Sequence, residues 1–212
     1  MMAPSRLTPF QVEVAHLFFS LPETRGFLLA GGAALVAHRL IDRPTQDLDL
    51  FTRPGGGSVA GARDAFEAAT VARGWVCRRI RDTPDFCRLV MHGTEDLLVD
   101  MALDFPPERP TVMTSVGPTF APEELAGRKL LALFDCAEAR DFADVYRLAE
   151  RYGRDRLVAE ASSVDAGFDI GYAAHILRTL GRFEASELPV APGEVAALRE
   201  FFAKWSAELS AR

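Results

Sequence analysis

Apolar positions along the chain change their spacing near residue 118. Before it, short apolar runs alternate with turn residues and helical stretches; after it, the spacing is helical throughout. Thr8-Pro9-Phe10-Gln11 reads as a helix start, with Thr as N-cap, Pro in the first turn and Gln as reciprocal capping partner. Phe10, Val14, Leu17, Phe18 and Leu21 follow on one helical face. Residues 22–26 break that pattern, and 26–30 predict a short buried strand. Gly31-Gly32 joins it to a helix expected over residues 33–41. A turn at 43–46 leads into a strand over 47–52, and the loop Pro54–Ser58 reads as a connection inside the domain. A helix is expected over 59–73, stopped by Gly74, then a strand over 75–81. Residues 86–92 and 97–103 predict a hairpin around Gly93-Thr94-Glu95-Asp96.

Pro106, Pro107 and Pro110 mark an irregular crossing segment. Helices are then expected over 122–136, 140–152, 154–162, 170–180 and 194–209. The last carries Val195, Leu198, Phe201, Phe202 and Trp205 as its apolar stripe. No internal repeat interrupts this order. The fold class is therefore α+β: a small mixed β-sheet with flanking helices over residues 1–117, then an all-helical region over 118–212.

Composition narrows the function classes. Hydrophobic residues are 49% and charged residues 25% of the 212, which is globular rather than disordered. A net charge of -6 argues against holding nucleic acid by a general positive field. It leaves a local groove open, because Arg73, Arg78, Arg79, Arg81 and Arg88 crowd one part of the chain; they read either as scattered surface arginines or as a phosphate-tracking stripe. Cys77, Cys87 and Cys136 stand singly in apolar surroundings, so buried free thiols are expected rather than disulfides or a zinc site. No leader pattern and no apolar run of membrane-spanning length is evident, so a cytoplasmic protein without a membrane partner is expected.

Strand alternation puts Asp47 and Asp49 on one face, about 7 Å apart, where they repel unless a cation lies between them. Asp100 sits inside an apolar strand, where a carboxylate must be paired, protonated or metal-bound. Oxygen ligands from Asp47, Asp49 and Asp100 suit Mg²⁺ or Mn²⁺ shared with the phosphates of an NTP. Gly31 and Gly32, at a strand-to-helix junction, let backbone N–H groups approach an anion or simply make a tight turn. Arg43 and Thr45 offer a guanidinium and a hydroxyl to a triphosphate. Lys129 falls between Leu125 and Leu133 on an apolar helix arc and needs an anionic partner, either a nucleotide phosphate or a carboxylate. In Arg140-Asp141-Phe142-Ala143-Asp144, Asp141 lies at the margin of the buried arc. Asp144 lies further round toward solvent, where an ion pair with Arg140 or Arg147 is expected.

Together, Gly31-Gly32, Arg43-x-Thr45-x-Asp47-x-Asp49, Lys129 and Arg140-Asp141-x-x-Asp144 resemble the AbiEii/MenT family of nucleotidyltransferase-like toxins, a branch of the polymerase-β-type nucleotidyltransferase superfamily. The resemblance spans about residues 27–150. It implies metal-dependent transfer of a nucleoside monophosphate from an NTP with release of pyrophosphate, a tRNA 3′ end as acceptor, and a cognate antitoxin. Asp47 and Asp49 match metal ligands, Lys129 a nucleotide-contacting lysine, Asp141 a further catalytic acid, and Asp100 the superfamily's third carboxylate. The helical region is implied to complete the active site. Gly32 departs from the pattern, standing where many relatives carry Ser, and the chain is shorter than many members. The competing readings are the same chemistry on a protein or small molecule, a non-catalytic domain binding an NTP or a partner, and a sugar-nucleotide Asp-x-Asp motif. The last calls for a larger α/β domain before Asp47.

Overall fold

The computed structural model describes residues 7–211; the first six residues, which carry part of the reading of no leader, lie outside the described residues. The chain forms two compact units, one ending at Pro122 and the other beginning at Glu123.

The first unit holds β1 (Phe27–Ala30), β2 (Asp47–Thr52), β3 (Val76–Asp82), β4 (Phe86–His92), β5 (Asp96–Leu103), β6 (Val112–Met113) and β7 (Pro118–Thr119). They make one seven-stranded sheet in the order β3-β4-β5-β2-β1-β7-β6. It is mixed: β2 runs parallel to β5 and β1 to β7, while the other pairs are antiparallel. Helices α1 (Pro9–Phe19), α2 (Gly31–Ala37) and α3 (Val59–Ala72) complete the unit.

The register explains which residues reach the site. Leu48 pairs with Val99 and Val99 with Leu89; Leu50 pairs with Met101 and Met101 with Cys87. All six are fully buried. In the same core Phe18 meets the rings of Phe27 and Phe66 at 5.4 and 5.5 Å. Burying each such side chain contributes about 1.5–3 kcal/mol. A one-residue slip of β2 would send Asp47 and Asp49 into that core, so the buried face locks the aspartates onto the other one.

The capping box on α1 is as expected: Thr8 Oγ1 accepts from the Gln11 N–H at 3.1 Å and Gln11 Oε1 accepts from the Thr8 N–H at 2.9 Å. Gln11 is buried, and its Nε2 donates to the backbone carbonyl of Thr45 at 2.9 Å, which ties α1 to the turn before β2.

Two regions differ from expectation. Helix α2 begins on Gly31 and ends at Ala37, where 33–41 was expected. Arg39 takes φ +55° and the Leu40 N–H reaches the Leu35 carbonyl at 2.8 Å, a Schellman-type stop without glycine. Leu35 and Leu40 are both buried, so the apolar periodicity runs on past the helix that it suggests. The proline-rich crossing segment leads into the two-residue strands β6 and β7, too short for periodicity to reveal.

The second unit contains α4 (Pro122–Cys136), α5 (Ala139–Tyr152), α6 (Arg154–Val164), α7 (Ile170–Arg178) and α8 (Val195–Ser210). Its core gathers Phe142, Phe202 and Trp205, with the Phe142 and Phe202 rings edge-on at 5.1 Å. Gly127 lets α4 and α6 approach: a Cβ there would lie 2.5 Å from Glu160 Cβ. Among the described residues no helix is long and apolar enough to cross a membrane.

The cysteines are free, but Cys136 is exposed and Cys77 only half-buried, which corrects the expectation of three buried thiols. Burial pushes Cys77 up to about 12 and Cys87 up to about 11. At neutral pH both are protonated and poorly nucleophilic. Burial and then the Asp135 charge raise the Cys136 thiol as well, so exposure alone sets it apart: a thiol reagent should modify Cys136 first in the native protein, and Cys77 and Cys87 chiefly after unfolding. As pH rises above the ordinary thiol value of 9.0, the unfolded chain releases these protons first, so stability falls until the folded values are passed. Urea midpoints at pH about 8 and about 10 should show that decline.

Candidate active site

Each site residue of the first unit is placed by a local necessity. Asp47 and Asp49 are half-buried on the face of β2 opposite its leucines. Thr45 Oγ1 donates to Asp47 Oδ1 at 2.8 Å and holds that carboxylate in one orientation. Ala30 is the register partner of Asp49, which brings the Asp49 side chain beside the first residue of α2. That residue is Gly31 at φ +56°, and a Cβ there would stand 1.7 Å from Asp49 Oδ2. At Gly32 a Cβ would lie 2.6 Å from Thr45 Oγ1 and 3.7 Å from Arg43 Nη2.

The glycine pair thus makes room for two different groups. Gly31 admits the Asp49 carboxylate; Gly32 admits the Thr45 hydroxyl that orients Asp47, with the Arg43 guanidinium nearby. The departure at Gly32 follows, because a serine there would displace Thr45. Gly31→Ala has two costs: about 1–2 kcal/mol for a left-handed backbone and the eviction of the Asp49 carboxylate. It is expected to lower the urea midpoint and to reduce transfer as far as loss of Asp49 itself does; wild-type activity in this variant would contradict the packing.

Asp100, expected as a third metal ligand, is engaged otherwise. It pairs in register with Asp49 on one side and Arg88 on the other. Like charges directly opposite are unfavourable. Arg88 relieves the clash with a two-pronged bond, Nε to Oδ1 at 2.8 Å and Nη2 to Oδ2 at 2.6 Å. The hydrogen bond to Asp100, followed by the charges of Asp100, Asp49 and Asp47, raises the Arg88 pKa. Among the described residues no group of three or more His, Cys, Asp or Glu is arranged to hold a metal ion. In this arrangement the Asp100 carboxylate is shared with Arg88 and stands beside the Asp47 and Asp49 pair. In the sequence Arg88 is one of several crowded arginines; the hairpin register, which pairs His92 with Asp96, leads directly to Arg88 opposite Asp100.

In the second unit Lys129 is 8% exposed. Its Nζ lies 3.1 Å from Asp141 Oδ1 and 3.2 Å from Asp144 Oδ2. The anionic partner that its apolar helix arc demanded is thus a pair of carboxylates from α5. Asp141 also accepts from the Glu138 N–H at 3.2 Å, capping the helix that carries it. Asp144, expected toward solvent, is 1% exposed. The α5 wheel misplaced it because the wheel does not see Lys129 arriving from α4. Arg147, one of its expected partners, pairs with Glu194 at 2.6 Å and Glu150 at 3.2 Å.

Comparison with known proteins follows the same line. Residues 16–210 match the family described as Nucleotidyl transferase AbiEii toxin, Type IV TA system. No curated protein matches the chain. Among solved structures, JHP933 from Helicobacter pylori is similar at TM-score 0.58 and 17% identity, with 96% of this chain and 94% of that one covered. MenT4, a nucleotidyltransferase toxin from Mycobacterium tuberculosis, is similar at TM-score 0.60 and 18% identity, covering 93% and 82%. The antibiotic-resistance factor ANT(2'')-Ia reaches TM-score 0.50 and 15% identity over 73% and 90%. At these identities the likeness establishes a shared fold. The family match covers nearly the whole chain, and the chain belongs to the AbiEii family of nucleotidyltransferase toxins of type IV toxin–antitoxin systems.

Proposed function

We propose that this nucleotidyltransferase moves a nucleoside monophosphate from an NTP to the 3′ end of a tRNA, releasing pyrophosphate, and that transfer requires Mg²⁺ or Mn²⁺ held by Asp47 and Asp49. The observation that carries the metal assignment is the carboxylate pair, one oriented by Thr45 and the other seated against Gly31. Such a pair fits Mg²⁺, which binds through one or two protein carboxylates and shares its remaining positions with water and substrate phosphates. When bound, the cation supplies Lewis-acid stabilisation of charge on the transferring phosphoryl group. The chain's own groups position the substrate. Arg43 offers a guanidinium beside Gly32, suited to triphosphate oxygens. Thr45 keeps Asp47 from turning away.

Lys129 and Asp141 are assigned to the same reaction on the family resemblance, as nucleotide-contacting lysine and catalytic acid. A cognate antitoxin belongs to the same proposal, and the NTP and tRNA requirements put the reaction in the cytoplasm. Calorimetric titration of each NTP tests the metal assignment. Binding is expected with Mg²⁺ or Mn²⁺, to weaken with chelator, and to be lost in Asp47→Asn/Asp49→Asn. Equal NTP affinity with and without the cation would contradict it.

A further inference from the structure

The face that carries Asp47 and Asp49 continues across the sheet. Register takes Asp47 to Leu98, Val90 and then Arg78; it takes Asp49 to Asp100, Arg88 and then Arg81. A groove of about 540 Å³ follows the first row, from Thr45 and Gln46 over Leu98 and Val90 to Arg78. It begins at the residues directly preceding Asp47 and ends on the edge strand β3. This face is open: Val76 is 62%, Ile80 48% and Leu98 36% exposed.

Arginines on the two faces differ in how they are engaged. On the α3 side Arg79 is clamped by Glu67, Asp64 and Asp82, and Arg63 by Asp64 and Asp82. On the open face, among the described residues, neither Arg78 nor Arg81 forms a salt bridge. The Arg81 guanidinium lies over the Phe86 ring at 5.3 Å, which keeps it extended along the surface. The hairpin end of the groove is lined by Glu95, which accepts from Thr8, and Asp96, which pairs with His92 at 2.7 Å, so an anionic strand is directed away from that end and toward β3.

An apolar floor beside guanidiniums that no carboxylate clamps is the chemistry that receives a single nucleic-acid strand, with sugars and bases on the floor and phosphates on the arginines. We propose that the open face of β5, β4 and β3 is the platform for the single-stranded 3′ end of an RNA acceptor. Leu98 and Val90 floor the nucleotide nearest Asp47, and Arg78 and Arg81 contact the phosphates that follow. The chain's net charge of -6 then matters less than where these two charges stand. The inference rests on the reading of the protein as a nucleotidyltransferase acting on RNA.

The test compares wild type with Arg78→Ala/Arg81→Ala, Arg78→Lys/Arg81→Lys and a charge-matched control, Arg156→Ala/Lys204→Ala. Anisotropy measures binding of a labelled single-stranded RNA with a free 3′ hydroxyl, calorimetry measures NTP affinity, and melting curves confirm folding. The alanine pair should weaken RNA binding about tenfold or more and lower the slope of log K against log salt by about 1.4, roughly 0.7 per lost contact. KM for tRNA should rise with kcat held, and NTP affinity should not change. The lysine pair and the control should stay within about twofold of wild type. Unchanged RNA affinity in the alanine pair, or an equal loss in the control, overturns the platform while nucleotidyl transfer stands. So does label arriving only on protein or a small molecule. A wild type that neither binds NTP nor transfers label overturns the underlying reading instead.

Discussion

On the proposed metal assignment, Asp49→Ala is expected to reduce nucleotidyl transfer by about a thousandfold, since losing about 4 kcal/mol of transition-state stabilisation costs three factors of ten. The fold should survive it, because Leu48 and Leu50 on the opposite side of β2 keep the strand in the core. The melting temperature should therefore change little while activity disappears. Parallel melting curves and single-turnover assays check both halves. A variant that keeps a tenth of wild-type activity would remove Asp49 from the metal site.

Lys129→Ala is expected to do the reverse in the second unit, lowering stability by about 3–5 kcal/mol through the carboxylates it abandons. Asp141 and Asp144 would both remain buried, at 5% and 1% exposure, without the ammonium between them. Loss of activity in this variant would say little, because unfolding alone explains it. A compensated variant separates the two roles. Lys129→Met/Asp141→Asn/Asp144→Leu replaces the ionic cluster by groups of similar volume and leaves an acceptor at position 141 for the Glu138 N–H. Such replacements are often neutral or stabilising. The urea midpoint should recover to near wild type while transfer does not; recovery of both would make the cluster purely structural.

Much of this arrangement was legible in the chain. Alternation along Asp47–Thr52 put both aspartates on one face, and the polar Lys129 on an apolar helix arc announced a buried partner. The capping box at Thr8 and Gln11 is complete in the sequence. What was not legible depends on contacts between elements. The partner of Asp100 follows from a hairpin register that is set by its turn and its buried row. The burial of Asp144 follows from a lysine delivered by a neighbouring helix, which a helical wheel does not contain. The separate jobs of Gly31 and Gly32 appear only once Asp49 and Thr45 are seen packed against them. The early stop of α2 hides behind Leu40, which is buried on the helical period although the helix has ended.

The most direct test of the central claim is the fate of the two ends of the triphosphate. With Mg²⁺, total tRNA and NTP labelled at either the α or the γ phosphorus, wild type should place α label on RNA and release one pyrophosphate per nucleotide transferred, with Asp49→Ala doing neither. Transfer of γ label to any acceptor, or α-label transfer that survives in Asp49→Ala, would contradict the account.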